Sequence, residues 1–401
     1  MTPPAAEDPI RALVRASHHL PADRLGTAVA DHARGLGAHG AVVYLADYAQ
    51  HVLLPVCGEG VPGRQELGID GSVAGRAFRR VEPVRSPPEG PGSVWLPLLD
   101  GAERIGVLEL VVPGGLPPDF EDDSRAFASL VAELVVTRDA YSDVFSRLRR
   151  RRDLSLAAEI QWELLPPLTY ASDHVVITGA LEPTYDIGGD TFDYAVNGAE
   201  VDLLVLDAVG HGLPAALLAT AAVGAYRHAR RGGLDLPGIA TAVDAVVAGQ
   251  FPDSRFATAA LARLDLDTGV LRWVNCGHPD PLLVRDGVPL RPPACPPARP
   301  LGLLAAEPVV CEVQLRPGDR LLLYTDGVVE ARDGGGAFFG IDRLVDFLQR
   351  ESSSGTPAPE VMRRLIHAVL QHQEDRLQDD ATLVLVEWRR GQEDRLVPSG
   401  T

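Results

Sequence analysis

The period of the apolar residues changes several times along this chain, and each change marks a different element. From Ile10 to Leu36 they recur at helical spacing, then give way to strand-like runs at Ala41 to Leu45 and His51 to Val56. A glycine-rich passage, Gly68 to Ala77, leads into a further helical segment. Strands over Val94 to Leu99 and Arg104 to Val112 flank an Asp100-Gly101 turn, and a helix is expected from about Asp119. Together these predict an α/β unit over residues 10–137.

A second pattern follows. Phe127, Leu130, Leu134, Thr137, Tyr141, Val144 and Leu148 alternate three and four apart, the spacing of a paired-helix seam. Arg147-Leu148-Arg149-Arg150-Arg151-Arg152 interrupts the stripe, and an apolar face resumes through Leu154, Ala158, Gln161 and Leu165. The arginine run reads either as a solvated face or as a break that lets the helix take two registers. Pro166 and Pro167 end it. Residues 138–167 are therefore expected to form a helical, coiled-coil-like connector, and the seam favours a homodimer.

Beyond Pro167 the pattern turns β-rich, with strands expected over Val175 to Ala180, Thr191 to Val196 and Val201 to Leu206; Asn197-Gly198 joins the last two. This region, residues 168–390, is the expected catalytic domain, and residues 391–401 read as a disordered tail. Acidic motifs recur where its apolar runs end. They are Gly188-Gly189-Asp190, Asp207-Ala208-Val209-Gly210-His211-Gly212, Tyr324-Thr325-Asp326-Gly327 and Asp379-Asp380-Ala381-Thr382.

The Gly-Gly-Asp turn has two incompatible readings, a cyclic-dinucleotide cyclase loop or a carboxylate that holds a catalytic metal. A cyclase continues with Glu-Phe, whereas this chain has Thr191-Phe192, and the other three motifs would go unexplained. Singly, each Asp-Gly is only a turn signal. Four carboxylates at strand ends, however, repel one another strongly unless cations sit among them. Oxygen ligation without His or Cys points to a hard, octahedral ion, Mg²⁺ or Mn²⁺. Two ions about 3.5–4 Å apart would activate water and hold a phosphate oxygen for in-line attack. Glycine beside an aspartate allows close backbone approach, which makes Gly189 and the Ala208 carbonyl candidates to complete the shell.

Composition narrows the class. With 37 basic and 55 acidic residues the formal charge is −18, which argues against nucleic acid or an anionic membrane as the main partner. Every basic side chain apart from histidine is Arg. Cys57, Cys276, Cys295 and Cys311 are widely spaced and signal neither a zinc knuckle nor a disulfide framework, so buried, reduced thiols are expected. The amino-terminal segment lacks a signal-peptide pattern and no window reaches eighteen uninterrupted apolar residues, so a cytoplasmic location is expected.

Two resemblances cover most of the chain. GIDGSVAGRAFRRVEPV, WLPLLDGAERIGVLELVV and FEDDSRAFASLVAEL resemble a GAF domain, which implies an α/β sensor and an unidentified small ligand. AAEIQWELLPP, DIGGDTFDY, LDAVGHGLPAALLAT, FATAALARLDLDTGVLRWVNCGHPDPLLV, RPLGLL, LLLYTDGVVEAR and DDATLVLV resemble the bacterial serine/threonine phosphatases of the SpoIIE and RsbU type, the PPM or PP2C-like family. The implied fold is α+β and multidomain, with a PP2C-like β-sandwich flanked by helices.

The resemblance also assigns roles. Asp190 and Asp207 would be shared ligands of two divalent ions, Mn²⁺ or Mg²⁺, with Asp326 and Asp379 completing the pair and the Ala208 carbonyl assisting. Asp380 stands where relatives carry Asp or Asn and ranks below Asp379. Asp193 and His211 are secondary candidates, the first behind the ligands and the second near phosphate or in a turn. Asn275, Gly277 and His278 match an Asn-x-Gly-His block and are expected to shape the loop beside the site, while Glu182 is a strand-edge charge. The implied reaction is hydrolysis of phosphoserine or phosphothreonine without a covalent enzyme intermediate. The implied substrate is a STAS-type anti-anti-sigma factor in a partner-switching pathway, under control of the GAF-like unit. A catalytically weak scaffold that binds a phosphoprotein or small ligand is the alternative, and the cyclase the lesser one.

Overall fold

The computed structural model describes residues 8–86, 92–112, 120–182, 185, 188–251, 255–353, 356–374 and 379–389. Asp119, Asp186, Ile187 and the expected tail at 391–401 lie outside these. The chain divides into two compact units between Arg152 and Asp153.

In the first unit, α1 (Pro9–Ser17) and α2 (Leu25–Ala33) precede β1 (Gly40–Ala46), β2 (Val52–Pro55), β3 (Leu67–Gly68), α3 (Val73–Arg80), β4 (Val84–Arg85), β5 (Gly92–Asp100) and β6 (Glu103–Val112). The strands form one antiparallel sheet in the order β3-β2-β1-β6-β5-β4. The helical spacing expected from Ile10 to Leu36 is divided between α1 and α2, because Pro21 sits between them in extended backbone.

The paired-helix expectation is corrected as well. α4 (Phe120–Asp139) stops, and α5 (Val144–Arg149) restarts after a turn. Phe127 and Leu134 are buried in the first unit's own core, with Leu130 and Leu148 packed against it. Three-four spacing reports an apolar stripe, of which Phe127, Leu130, Leu134 and Leu148 pack into the first unit's own core while Tyr141 and Val144 are exposed. The arginine run is likewise engaged: Arg149 donates to the Ala46 carbonyl at 2.9 Å and lies over the Tyr48 ring, and Arg151 pairs with Glu66.

The second unit opens with α6 (Leu156–Leu164), whose Ser155 cap accepts from the Ala158 N–H. β7 (Thr169–Ala171), β8 (Val175–Glu182), β9 (Asp190–Asn197) and β10 (Glu200–Ala208) follow, then α7 (Leu213–Arg231) and α8 (Leu236–Gln250). Next come β11 (Ala257–Asp265), β12 (Val270–Cys276), β13 (Leu282–Arg285), β14 (Val288–Leu290), β15 (Cys311–Gln314) and β16 (Arg320–Tyr324). α9 (Asp326–Val329), α10 (Gly340–Ser353), α11 (Ala358–His372) and β17 (Ala381–Trp388) complete it.

Two sheets result, ordered β15-β12-β11-β10-β9 and β14-β13-β16-β17-β8-β7. They stack as a sandwich because alternate residues of each strand are apolar and meet face to face: Phe192, Leu203, Val205, Ala260 and Trp273 from one sheet, Val175, Ile177, Leu323, Val384 and Val386 from the other. The opposite parity of β10, Leu204, Leu206 and Ala208, packs under α7 and α8. α11 lies against β8 and β17. The α+β class expected from the sequence holds. Among the described residues no helix is long and apolar enough to cross a membrane.

Cys295 and Cys311 are joined by a disulfide, which overturns the expectation of four reduced thiols. The return of the chain after β14 to the edge strand β15 brings them together, a closure that sequence spacing does not reveal. Cys57 is exposed, and Cys276 alone fits the expected buried thiol.

Candidate active site

The interior faces of the sandwich strands change character at one end. In β9 and β10 the paired residues Phe192 and Val205 are apolar, and the next inward pair is Asp190 and Asp207. In β11, Ala260 opposes Val205, and two residues earlier Thr258 opposes Asp207. In the other sheet Leu323 pairs with Val384, and the next inward positions are Thr325 and Thr382. Because side chains alternate along a strand, one further step of two residues turns an apolar layer into a layer of carboxylates and hydroxyls.

Hydrogen bonds fix this layer. The fully buried Thr325 hydroxyl donates to Asp190 Oδ2 at 2.6 Å and accepts from the Thr382 N–H at 2.9 Å. Asp380 Oδ2 accepts from the N–H groups of Gly188 at 2.7 Å, Gly189 at 2.7 Å and Asp190 at 3.3 Å. The Asp380 N–H donates to Asp379 Oδ1 at 2.9 Å. Two glycines are required by contact: a Cβ on Gly189 would lie 2.2 Å from the Ala208 carbonyl oxygen, and one on Gly327 would lie 1.8 Å from that of Asp380. The Gly-Gly-Asp, Asp-Ala, Thr-Asp-Gly and Asp-Asp motifs are thereby gathered at one end of the sandwich.

Their charges act on one another. Asp190 is held well above the usual carboxylate range, first by burial and then by Asp207 and Asp380, with the Thr325 and Thr382 hydroxyls acting in the opposite sense. Asp207 is pushed up to about 7 by burial and then by Asp326, Asp379 and Asp380. Burial, Asp379 and Glu330 raise Asp326. Asp380 is pushed up to about 6 by burial, against the pull of its three backbone donors. These mutual repulsions make one electrostatic cluster, although among the described residues no three acidic, His or Cys side chains close onto a single point. The two observations are compatible, since repulsion reaches farther than direct ligation.

The donor chemistry fits hard divalent cations. Asp190, Asp207, Asp326 and Asp379 supply carboxylate oxygen and Ala208 a backbone carbonyl, with no thiol among them. Asp190 is buried and Asp207 half-buried, while Asp326 and Asp379 are exposed, so the cluster grades from the sandwich interior to solvent.

Other expected residues fall elsewhere. Asp193 has the opposite strand parity to Asp190 and faces the helices, paired with Arg227 at 2.8 Å and Arg230 at 2.9 Å, so it does not stand behind the carboxylates. Period two separates residues three apart onto opposite faces. His211 is exposed, one residue before the Gly212 cap of α7, and is not drawn into the hydrogen bonds of the carboxylate layer. Glu182 is buried at the end of β8, opposite Ala381.

His278 is more deeply involved than a loop-shaping residue. Its Nδ1 lies 2.9 Å from the Thr258 hydroxyl, and Thr258 is the strand partner of Asp207. Asn275 fixes its backbone, accepting from the His278 N–H and donating to the His278 carbonyl, both at 2.8 Å. Burial pushes the imidazole down to about 4, with the Tyr324 backbone acting the other way. The sequence reading omits Thr258 and gives Thr325 and Thr382 no role within their motifs, although counting in twos from the apolar core reaches all three.

Part of the second unit resembles known proteins. The family model for stage II sporulation protein E (SpoIIE) matches residues 197–389. This segment is similar to the SpoIIE family and to phosphoserine phosphatases. The SpoIIE match contains Asp207, Asp326, Asp379 and Asp380, while Asp190 precedes it on the paired strand β9. Protein IcfG of Synechocystis sp. is 26% identical over 271 residues, 59% of this chain and 41% of that protein. Phosphoserine phosphatase RsbP of Bacillus subtilis is 25% identical over 250 residues, 60% of this chain and 59% of that protein. The chain thus spans about half the length of these relatives. Among solved structures, the RsbU and RsbW domains of Rv1364c from Mycobacterium tuberculosis align with a TM-score of 0.49 and 28% identity, covering 55% of this chain and 61% of that one.

Proposed function

We propose that the chain is a metal-dependent protein serine/threonine phosphatase, acting on the phosphoserine of a STAS-type anti-anti-sigma factor in a partner-switching pathway. The observation that carries this reading is the polar end layer of the sandwich, where paired strands set Asp190 beside Asp207 and turns bring Asp326 and Asp379 to the same cluster.

Asp190, Asp207, Asp326 and Asp379, with the Ala208 carbonyl, would hold two ions of the Mg²⁺ or Mn²⁺ class. When bound, such a pair supplies Lewis acidity toward water and phosphoryl oxygen. The protein contributes fixed geometry. Thr325 orients the Asp190 carboxylate, the β9–β10 register holds Asp207 opposite it, and the sandwich core excludes water from the inner side. The more exposed Asp326 and Asp379 leave the outer side open to a protein-borne phosphate.

The first unit is read as a GAF-like sensor for a small ligand that regulates the phosphatase, in a homodimer. Support for the substrate class comes from the phosphoserine phosphatases RsbP and RsbU of Bacillus subtilis among the relatives.

The deciding experiment measures phosphate release from a serine-phosphorylated STAS-domain protein with Mn²⁺ or Mg²⁺ added or chelated, for wild type and Asp326→Asn. Metal-dependent release that the substitution abolishes supports the reading. No release from wild type under any metal condition, with or without residues 1–150, sinks it in favour of a scaffold that binds phosphoprotein.

A further inference from the structure

Asp380 sits among the carboxylates yet is engaged differently from the rest. Its Oδ2 receives three backbone N–H groups in succession, from Gly188, Gly189 and Asp190. A carboxylate oxygen that takes three donors has its lone pairs committed to them. The contact is also tight: a Cβ on Gly188 would come to 2.7 Å from that oxygen, so glycine there is what admits the carboxylate. On its other side the Asp380 carbonyl fills the space beside Gly327, directly after Asp326, and its N–H binds Asp379. One residue therefore touches the Gly-Gly-Asp turn, the Asp326 turn and Asp379, which lie on three separate strand ends.

The geometry points to Asp380 as a positioning residue that shapes the Gly188-Gly189-Asp190 turn through its backbone, with the cation ligands being its neighbours. This rests on the metal-dependent reading of the site for its consequence, though not for its geometry. An ordinary ligand acts through its charge. A turn clamp needs only an acceptor oxygen, which an asparagine amide also provides.

The test compares full-length wild type, Asp380→Asn, Asp380→Ala, Gly188→Ala and Asp326→Asn. Hydrogen exchange of the metal-free proteins is followed over Gly188 to Asp190, and Mn²⁺ binding is measured by titration. The clamp predicts slow exchange in wild type and Asp380→Asn, and exchange at least tenfold faster in Asp380→Ala. It predicts Mn²⁺ affinity within about threefold of wild type for Asp380→Asn and about 10–100-fold weaker for Asp380→Ala, the range that follows loss of a residue supporting a ligand. Gly188→Ala, which keeps the carboxylate but obstructs the turn, should behave as Asp380→Ala does. Thermal melting establishes that each variant is folded.

Loss of Mn²⁺ binding in Asp380→Asn as complete as in Asp326→Asn would make Asp380 a ligand and overturn the proposal. Unchanged exchange in a folded Asp380→Ala would overturn it too. Wild type that binds Mn²⁺ but releases no phosphate defeats the phosphatase reading while leaving the clamp standing, and the exchange arm decides the clamp even if no Mn²⁺ binds.

Discussion

Thr325 and Asp190 meet across the sandwich, 135 residues apart in sequence, through a 2.6 Å hydrogen bond from the Thr325 hydroxyl to Asp190 Oδ2. Both are buried, and the same hydroxyl accepts from the Thr382 N–H. Replacement by valine keeps the shape but removes both bonds, leaving a buried carboxylate and a buried N–H poorly satisfied. Thr325→Val should cost about 1–3 kcal/mol, whereas Thr325→Ser should retain most of the stability. Thermal melting of the two variants checks this, and equal melting would show that the hydroxyl contributes nothing.

Asp326 raises its neighbour Asp207 through like charge. Asp326→Asn should therefore melt no lower than wild type without metal, since a repulsion is removed. Wild type should gain stability with Mn²⁺, about 2.7 kcal/mol at a hundredfold excess over Kd, and the variant should gain little. Melting curves with and without chelator decide it; equal gains in both proteins would remove Asp326 from the ligand set.

The positions of Asp190 and Asp207 were legible because each ends an apolar alternating run, and strand periodicity carries the pattern to its last residue. Asp193 shows the limit of proximity in sequence: three residues from Asp190, it faces the helices and pairs with Arg227 and Arg230. The stripe from Phe127 to Leu148 was legible as apolar but not as to its cover, because a partner helix and the chain's own core, which takes Phe127, Leu130, Leu134 and Leu148, impose the same spacing. The Cys295–Cys311 bond was not legible, since it depends on where the loop after β14 returns.

That bond supplies a further expectation. It closes a loop with a sequence separation of 16, for which chain-entropy arguments give about 3 kcal/mol. Reductant should lower the melting temperature of wild type and leave a Cys295→Ser, Cys311→Ser double variant unchanged. A reductant effect of the same size in both proteins would mean that the bond does not form in solution.

His278 gives a pH dependence of definite sign. Burial depresses its imidazole from 6.5 to about 4 in the folded chain. The unfolded chain then binds more protons between those values, so the contribution of this group is fully present above about pH 6.5 and is lost as pH falls toward 4. The full loss is on the order of 3 kcal/mol. The raised carboxylates Asp190, Asp207, Asp326 and Asp380 act in the opposite direction, favouring the metal-free fold at low pH, so the absolute curve of wild type mixes both. The difference between wild type and His278→Gln separates them, because the carboxylates are common to both proteins. With divalent metal chelated, melting at pH 7.5 and pH 5 should show wild type losing more stability on acidification than the variant. An identical loss in the two would place the proton elsewhere and leave the buried imidazole as packing beside Thr258.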